Sequence, residues 1–196
     1  MRIKSVISVV FILLTFLSPA RGGGISAGLK YGYSRLSADY ADPGSAVGGD
    51  VTLSLSSLIS VTAQFSYNIY EPLPACEVFG GDCRWEKEGE FTISEYFAGI
   101  RLDTPPVEVA PATLFLVFGP GCFGVHQDVT YSRYGVIPLE TREFRRDFWR
   151  MGFIAGGGLT FDDYRGLSFE FAPVLKLVDD MEDHLDIYLG VRYRFN

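Results

Sequence analysis

The stretch ISVTAQFSYNIY, residues 59–70, alternates apolar side chains with small or polar ones from end to end. The apolar set comprises Ile59, Val61, Ala63, Phe65, Tyr67 and Ile69. The other set comprises Ser60, Thr62, Gln64, Ser66 and Asn68. Because successive side chains of a β-strand point to opposite faces, a period of two over this length predicts a strand with one apolar and one polar face.

Seven other segments of the chain are predicted strands. They are residues 25–35, 50–56, 94–103, 113–127, 149–161, 167–178 and 185–195, of which 113–127 is apolar and glycine-rich with ambiguous faces. The longer or more polar connections are 37–48, 71–91, 128–147 and 179–184, and the others, mostly tight turns, are 57–58, 104–112 and 162–166. Eight strands joined in this way predict an all-β fold, an antiparallel up-and-down barrel whose even strand number lets it close.

The first residues are predicted to form a secretory signal peptide. Arg2 and Lys4 precede an apolar run over residues 6–17, and Ser18-Pro-Ala20 places small residues at the −3 and −1 positions of a cut after Ala20. The apolar run is shorter than the ~20 residues of a membrane-spanning helix. We therefore expect residues 1–20 to be removed, with a cut at 22 as the alternative, and residues 21–196 to form one barrel domain.

Alternation alone does not tell which face of each strand turns inward. A soluble barrel turns its apolar face toward a ligand, whereas a membrane barrel turns it toward lipid. Long strands, a polar face made mostly of Gly, Ser and Thr, and aromatic residues near strand ends all favour the transmembrane barrel. The aromatic residues in question are Tyr31, Tyr33, Tyr67, Tyr96, Tyr193 and Phe195.

Several charged residues fall on the polar, inward face of the predicted strands. They are Lys30, Asp50, Glu95, Arg101, Glu170, Lys176, Asp186, Arg192 and Arg194. Because buried charges must be paired or hydrated, we expect a charge network in the lumen, with Glu170 bound to Arg192 on the neighbouring strand. The network is either a plug or the gate of a narrow pore, and the small interior of an eight-stranded barrel favours the plug.

These features together resemble a known family. The leader, the eight alternating strands and the ending Tyr193-Arg-Phe195 resemble the small outer-membrane β-barrels of Gram-negative bacteria, in particular the opacity-like or "outer membrane protein β-barrel domain" group. The glycine-rich stretches FGPGCFGV (118–125) and GFIAGGGLTF (152–161) resemble that group too. The resemblance implies export through the periplasm to the outer membrane. It also implies that Tyr193 and Phe195 signal to the barrel-assembly machinery, although Asn196 follows them here.

Three functions are compatible with this resemblance. The first is a structural or surface-interaction role with loops presented at the cell surface, and the second is a narrow porin-like channel for small or hydrophobic solutes. The third, a lipid A-modifying enzyme, is disfavoured because Asp128 stands where the His-x-Ser pattern of the deacylases would place serine after His126. We expect a monomer that is not an enzyme and has no catalytic residues.

Two groups of residues are candidate sites in the loops. Export permits disulfides, and Cys76 and Cys83 flank a short turn-like segment that a disulfide would close. In the segment 141–150, Arg142, Arg145 and Arg146 are interleaved with aromatic residues. On a loop at the outer leaflet these arginines would contact lipopolysaccharide phosphates, whose geometry suits guanidinium groups. A solvated loop with local ion pairs to acidic neighbours is the alternative.

No cofactor or metal ion is predicted. Gly119-Pro-Gly121-Cys-Phe-Gly124 matches G-x-G-x-x-G, but its flanks are strand-like and not the start of a helix. The cysteine spacing and the two histidines do not suit zinc. The net charge of −7 argues against nucleic acid, which needs a basic surface. The expected partners are outer-membrane lipid, lipopolysaccharide and, during biogenesis, the assembly machinery.

Overall fold

The computed structural model describes residues 24–36, 41–74, 78, 85–105, 112–133, 140–162, 166–179 and 183–195. The strands are β1 (Ile25–Leu36), β2 (Ala41–Ser54), β3 (Ile59–Pro72), β4 (Trp85–Asp103), β5 (Ala112–Arg133), β6 (Thr141–Asp162), β7 (Leu167–Val178) and β8 (His184–Phe195). Over these ranges, no helix has the length and apolar character needed to cross a membrane. The predicted signal peptide and the cysteines Cys76 and Cys83 lie outside the described residues.

The eight strands form a closed barrel in which each strand pairs antiparallel with its neighbours in sequence. The ring closes between the first and last strands, from Ile25 opposite Phe195 to Leu36 opposite His184. We call the end that carries Ile25 and Phe195 the terminus end. The opposite end, where β1, β3, β5 and β7 run into their following connections, is the loop end. The predicted up-and-down barrel is confirmed.

The two faces of the strands also follow the prediction. Large apolar side chains cover the outside, where Leu29 and Leu189 are 76% and 66% exposed. Inside, polar residues such as Ser66 and Asn68 are fully buried. This arrangement is the reverse of a soluble protein, because the outer surface must be compatible with lipid and the lumen must satisfy its own polar groups.

Four strands are longer than predicted. Residues 41–48, 85–91, 128–133 and 141–147 were expected in connections, but they belong to β2, β4, β5 and β6. In β2 the alternation is interrupted at Pro43 and Gly44, where the register against β3 shifts between Asp42 and Ser45. In the other three strands the apolar alternation fades because these residues need no lipid-compatible face. β4 pairs with β3 only from Phe91, and β6 pairs with β7 only from Gly152. Residues 85–90, 126–133 and 141–150 therefore form a three-stranded sheet beyond the barrel at the loop end, which we call the extension.

Glycines of the barrel wall leave room for aromatic rings that point inward. A Cβ atom on Gly158 would lie 2.9 Å from Cζ of Phe115, and one on Gly152 would lie 2.9 Å from Cε2 of Phe123. The G-x-G-x-x-G match at 119–124 lies within β5 and not at the start of a helix. Its glycines therefore belong to a strand of the wall, without the βα context of a nucleotide site.

Candidate functional site

Arg192 of β8 joins four strands at the terminus end of the lumen. Its Nε lies 2.9 Å from Oε1 of Glu170 on β7, and its Nη2 lies 2.7 Å from Oδ1 of Asp50 on β2. Nη1 donates to Oγ of Ser26 on β1 at 3.1 Å and to Oγ1 of Thr52 on β2 at 2.6 Å. These contacts cross the junction at which β1 and β8 close the ring.

Arg101 of β4 extends this cluster across the barrel. Its Nη1 lies 2.6 Å from Oε1 of Glu170, and its Nε lies 2.8 Å from Oδ1 of Asp103. Nη2 donates to Oγ1 of Thr160 at 2.8 Å. The guanidinium carbon lies 3.9 Å from the ring centroid of Phe115. Glu170 thus receives two guanidinium groups from opposite sides of the lumen, which compensates for its removal from water.

Two other predicted members of the network differ in their surroundings. Lys30 reaches inward, with Nζ 3.0 Å from Oδ2 of Asp50 and 2.9 Å from Oε1 of Gln64. Arg194 has the same strand parity as Arg192, but it is exposed at the terminus end and forms no ion pair within the described ranges. Arg194 is therefore not part of the lumen network, because it lies two residues nearer the terminus end than Arg192 does.

A second charged cluster lies nearer the loop end and is centred on Lys176. Its Nζ lies 2.5 Å and 2.6 Å from the two carboxylate oxygens of Glu95, and it also binds Asp186. Tyr188 donates its hydroxyl to Oδ2 of Asp186 at 2.5 Å. Lys176 and Asp186 have no exposed surface, and Glu95 is 1% exposed. One ammonium group therefore neutralises part of the charge of two carboxylates in a closed space.

Neutral polar groups complete this second cluster. Ser66 donates to Oε2 of Glu95 at 2.5 Å, and Asn68 donates to the other oxygen of the same carboxylate. Ser34 donates to Asp186 and lies 2.6 Å from the hydroxyl oxygen of Tyr70. The alternation of side chains along each strand places Ser34, Ser66, Asn68 and Tyr70 on the inward face, so their direction could be predicted from the sequence. It did not show that they gather around one lysine.

An apolar layer lies within the same lumen. Its buried members include Leu36, Tyr70, Phe91, Ile93, Phe123, Val125, Ile154 and Val178. His184, which was expected in a polar connection, begins β8 and is fully buried, with its ring 6.2 Å from that of Phe123. Charged clusters and apolar layer together fill the interior between the described strands.

The inner face of the extension, which continues the lumen side of the strands, is basic and aromatic. It carries Trp85, Lys87, Val129, Tyr131, Arg133, Arg142, Phe144, Arg146, Phe148 and Arg150. Trp85, Val129 and Tyr131 form a small buried cluster, and Phe144 packs edge-on against Tyr131 at 5.7 Å between ring centroids. The guanidinium carbon of Arg142 lies 5.4 Å from the ring centroid of Trp85. This packing keeps the sheet together outside the barrel.

The outer face of the extension is mainly acidic. It carries Glu86, Glu88, Glu90, His126, Asp128, Glu143, Arg145 and Asp147. Nδ1 of His126 lies 2.5 Å from Oδ1 of Asp147, and Nε of Arg145 lies 3.9 Å from Oδ2 of Asp128. Among the residues that the structure describes, no group of three or more His, Cys, Asp and Glu side chains is arranged to hold a metal ion.

Solved structures with the same architecture include outer-membrane proteins. Neisserial surface protein A (NspA) matches with a TM-score of 0.54 and 11% identity, over 91% of this chain and 100% of that one. Ail, the attachment invasion locus protein of Yersinia pestis, matches with a TM-score of 0.52 and 15% identity, over 88% and 97%. OprG of Pseudomonas aeruginosa matches with a TM-score of 0.50 and 9% identity, over 88% and 96%.

This chain has the fold of an outer-membrane β-barrel. The resemblance to small eight-stranded barrels of this kind is thereby confirmed at the level of fold. Neither a model of a protein family nor a curated protein matches the sequence.

The structure of the barrel separates the three arginines that were expected to act together. Arg142 and Arg146 lie on the inner face of the extension, and Arg145 lies on the outer face. The expected loop is part of β6, and neighbouring residues of a strand point to opposite sides. The three guanidinium groups therefore do not converge on one ligand.

The predicted assembly signal lies on the outside of the barrel at the terminus end. Tyr193 and Phe195 of β8 are both about half exposed, and their rings contact each other edge-on with centroids 5.1 Å apart. Such a pair of aromatic residues suits the boundary between lipid and water. Their role in assembly stays a prediction.

Proposed function

We propose that this chain is an integral protein of the outer membrane whose role is structural and interactive. The barrel anchors the chain in lipid, and the extension presents a surface for contact with other molecules. The proposal assigns it no enzymatic activity. It is supported by the apolar exterior, by the filled lumen and by three strands that continue beyond the barrel.

The proposal includes an orientation and a route. The chain is exported through the periplasm and inserted by the barrel-assembly machinery, for which Tyr193 and Phe195 provide the terminal aromatic residues. The terminus end then faces the periplasm, and the loop end with the extension faces the outside of the cell. Lipid and lipopolysaccharide surround the outer face.

The observation that carries the proposal is the complete burial of Lys176 between Glu95 and Asp186 inside the lumen. A conducting pore requires ions to enter and leave weakly bound positions. Here each charge is held by several partners in a closed space. This geometry supports an anchoring barrel over the narrow channel.

We expect the purified protein to produce no stepwise ion currents in planar lipid bilayers, because the charged clusters and the apolar layer block the lumen. Flotation with liposomes would verify insertion, and heat-modifiable gel mobility would verify folding. Fractionation of cells should place the protein with outer membranes. Reproducible single-channel conductance from folded protein would overturn the structural role in favour of transport, and a soluble periplasmic fraction would overturn the location.

Arg145 and Arg146 allow a matched test of lipopolysaccharide contact. Both side chains are exposed, but only Arg145 lies on the outer face that lipopolysaccharide would surround. We expect Arg145→Ala to lower the amount of lipopolysaccharide that co-purifies, by less than half because acidic residues surround this arginine. Arg146→Ala should leave it unchanged. Equal effects of the two variants, measured by phosphate analysis of the purified protein, would contradict this assignment.

A further inference from the structure

The extension has two edges without a neighbouring strand among the described residues, at residues 85–90 of β4 and at residues 141–150 of β6. β6 pairs with β5 along its whole length, but it pairs with β7 only from Gly152 onward. The amide of Asp179 donates to the carbonyl oxygen of Met151 at 3.0 Å, which shows that odd-numbered residues of β6 point their backbone groups toward this side. The odd-numbered residues beyond the last contact are Glu143, Arg145, Asp147 and Trp149.

The backbone groups of these four residues form a row that can hydrogen-bond to another β-strand. Each offers one N–H donor and one C=O acceptor, and alternate residues of a strand repeat at about 6.8 Å. The row contains no proline, and β6 has no register shift against β5 that would bend it away. An extended polypeptide can pair with such a row, whereas a glycan has no matching ladder of donors and acceptors.

The side chains on the inner face of β6, beside this backbone row, favour a negatively charged partner strand. Arginine and phenylalanine alternate along the inner face of β6, in the order Arg142, Phe144, Arg146, Phe148 and Arg150. Within the described residues Arg146 forms no ion pair, and Arg150 lies over Phe148 with its guanidinium carbon 4.7 Å from the ring centroid. Opposite charges on adjacent strands attract, so acidic side chains would pair with the arginines and apolar ones with the phenylalanines.

A second copy of this chain matches the arginine row less well than an acidic strand does. If two β6 strands pair antiparallel with Phe144 opposite Phe148, Arg146 lies opposite its own counterpart in the other copy, although Arg145 then lies opposite Asp147. The inner face of β6 over residues 142–150 carries arginine and phenylalanine and no acidic residue. A second β6 therefore cannot offer Arg146 an acidic partner from these residues, whereas an acidic strand can.

We propose that residues 143–149 of β6 bind an extended acidic segment of a partner protein by strand addition. The added strand places alternating acidic and apolar side chains on the inner face, against the arginines and phenylalanines. This inference rests on the proposed function and deepens it, because it names the class of partner that the extension contacts.

The test uses a synthetic nonapeptide, Glu-Thr-Val-Thr-Glu-Thr-Val-Thr-Glu, labelled with fluorescein and titrated with the folded full barrel in detergent. Its Glu and Val side chains match the alternation of arginine and phenylalanine on β6. One control peptide carries Lys in place of Glu. A second control is methylated on the backbone nitrogens of its four threonines, which face β6 in the antiparallel pairing. We expect each control to bind at least tenfold more weakly by fluorescence anisotropy.

Substitutions of Glu143 separate backbone pairing from simple charge attraction. Glu143→Pro removes an edge-facing N–H and preserves the ladder to β5, because odd-numbered residues point away from β5. It also removes a negative charge, so electrostatic attraction alone would make an acidic peptide bind more tightly. Strand addition requires the opposite, a Kd about tenfold weaker. The matched variant Glu143→Thr removes the charge but keeps the N–H, and it should bind at least as tightly as the parent.

A third variant tests the arginine row. Arg146→Glu should weaken binding at least tenfold, with heat-modifiable mobility confirming that each variant is folded. Equal affinities of Glu143→Pro and Glu143→Thr, or of the methylated and unmethylated peptides, would overturn strand addition. Equal affinities together with displacement by a sulfated oligosaccharide would identify a surface for polyanions instead. Either result leaves the outer-membrane location and the blocked lumen untouched, since fractionation and conductance test those separately.

Discussion

Replacing Lys176 with methionine should lower the free energy of unfolding by about 3–5 kcal/mol, the range seen when one partner is removed from a buried ion pair. The change leaves Glu95 and Asp186 buried without their ammonium partner. Neither carboxylate can reach bulk water without opening the barrel. Unfolding in urea, followed by the fluorescence of Trp85 and Trp149 in lipid vesicles, would measure the loss.

Two further variants test the cause of this loss. Adding Glu95→Gln and Asp186→Asn to Lys176→Met removes the unpaired charges and should restore most of the stability. Lys30→Met should cost less, because Lys30 keeps 13% of its side chain exposed and its partner Asp50 retains Arg192. If Lys176→Met and Lys30→Met were equally destabilising, the complete burial of Lys176 would not explain its contribution to stability.

Replacing Arg192 with methionine should also cost about 3–5 kcal/mol. Arg192 is bound to Glu170 and Asp50, and it links both sides of the junction between β1 and β8. The loss should appear both in urea unfolding and as a smaller fraction of protein that folds into vesicles, because ring closure depends on this junction.

Arg194 is the matched control for Arg192. It lies two residues away on the same strand and has the same parity, but it is exposed. We expect Arg194→Met to change stability by no more than about 0.5 kcal/mol, as is usual for surface substitutions. A large loss from Arg194→Met, or a negligible loss from Arg192→Met, would show that the closing contacts of β8 lie elsewhere.

The barrel and the extension have different parts in the proposed function. In the barrel, charged and apolar side chains fill the lumen and hold the ring closed. In the extension, a basic inner face and an acidic outer face are exposed on a sheet that the barrel keeps in place. In the proposed function, the rigid interior anchors the chain, and the strands beyond the barrel carry the recognition surface.

The alternation of side chains was sufficient to predict the barrel and the direction of its faces. It placed Glu95, Arg101, Glu170 and Arg192 inside, because successive side chains of a strand take opposite sides whatever the neighbours are. It failed to find residues 41–48 of β2 and the parts of β4, β5 and β6 that lie beyond the barrel. The apolar half of the pattern marks contact with lipid, and hydrogen bonding to neighbouring strands continues where that contact ends.

The sequence by itself therefore determined the number of strands, their order and the side on which residues lie wherever the alternation is regular. Only the tertiary structure decided the depth of each residue along the barrel and its partners across the lumen. Arg192 and Arg194 have the same parity, yet one is buried and the other exposed. The physical reason is that periodicity within a strand specifies a side chain's direction, whereas its depth and partners depend on the stagger of all eight strands when the ring closes.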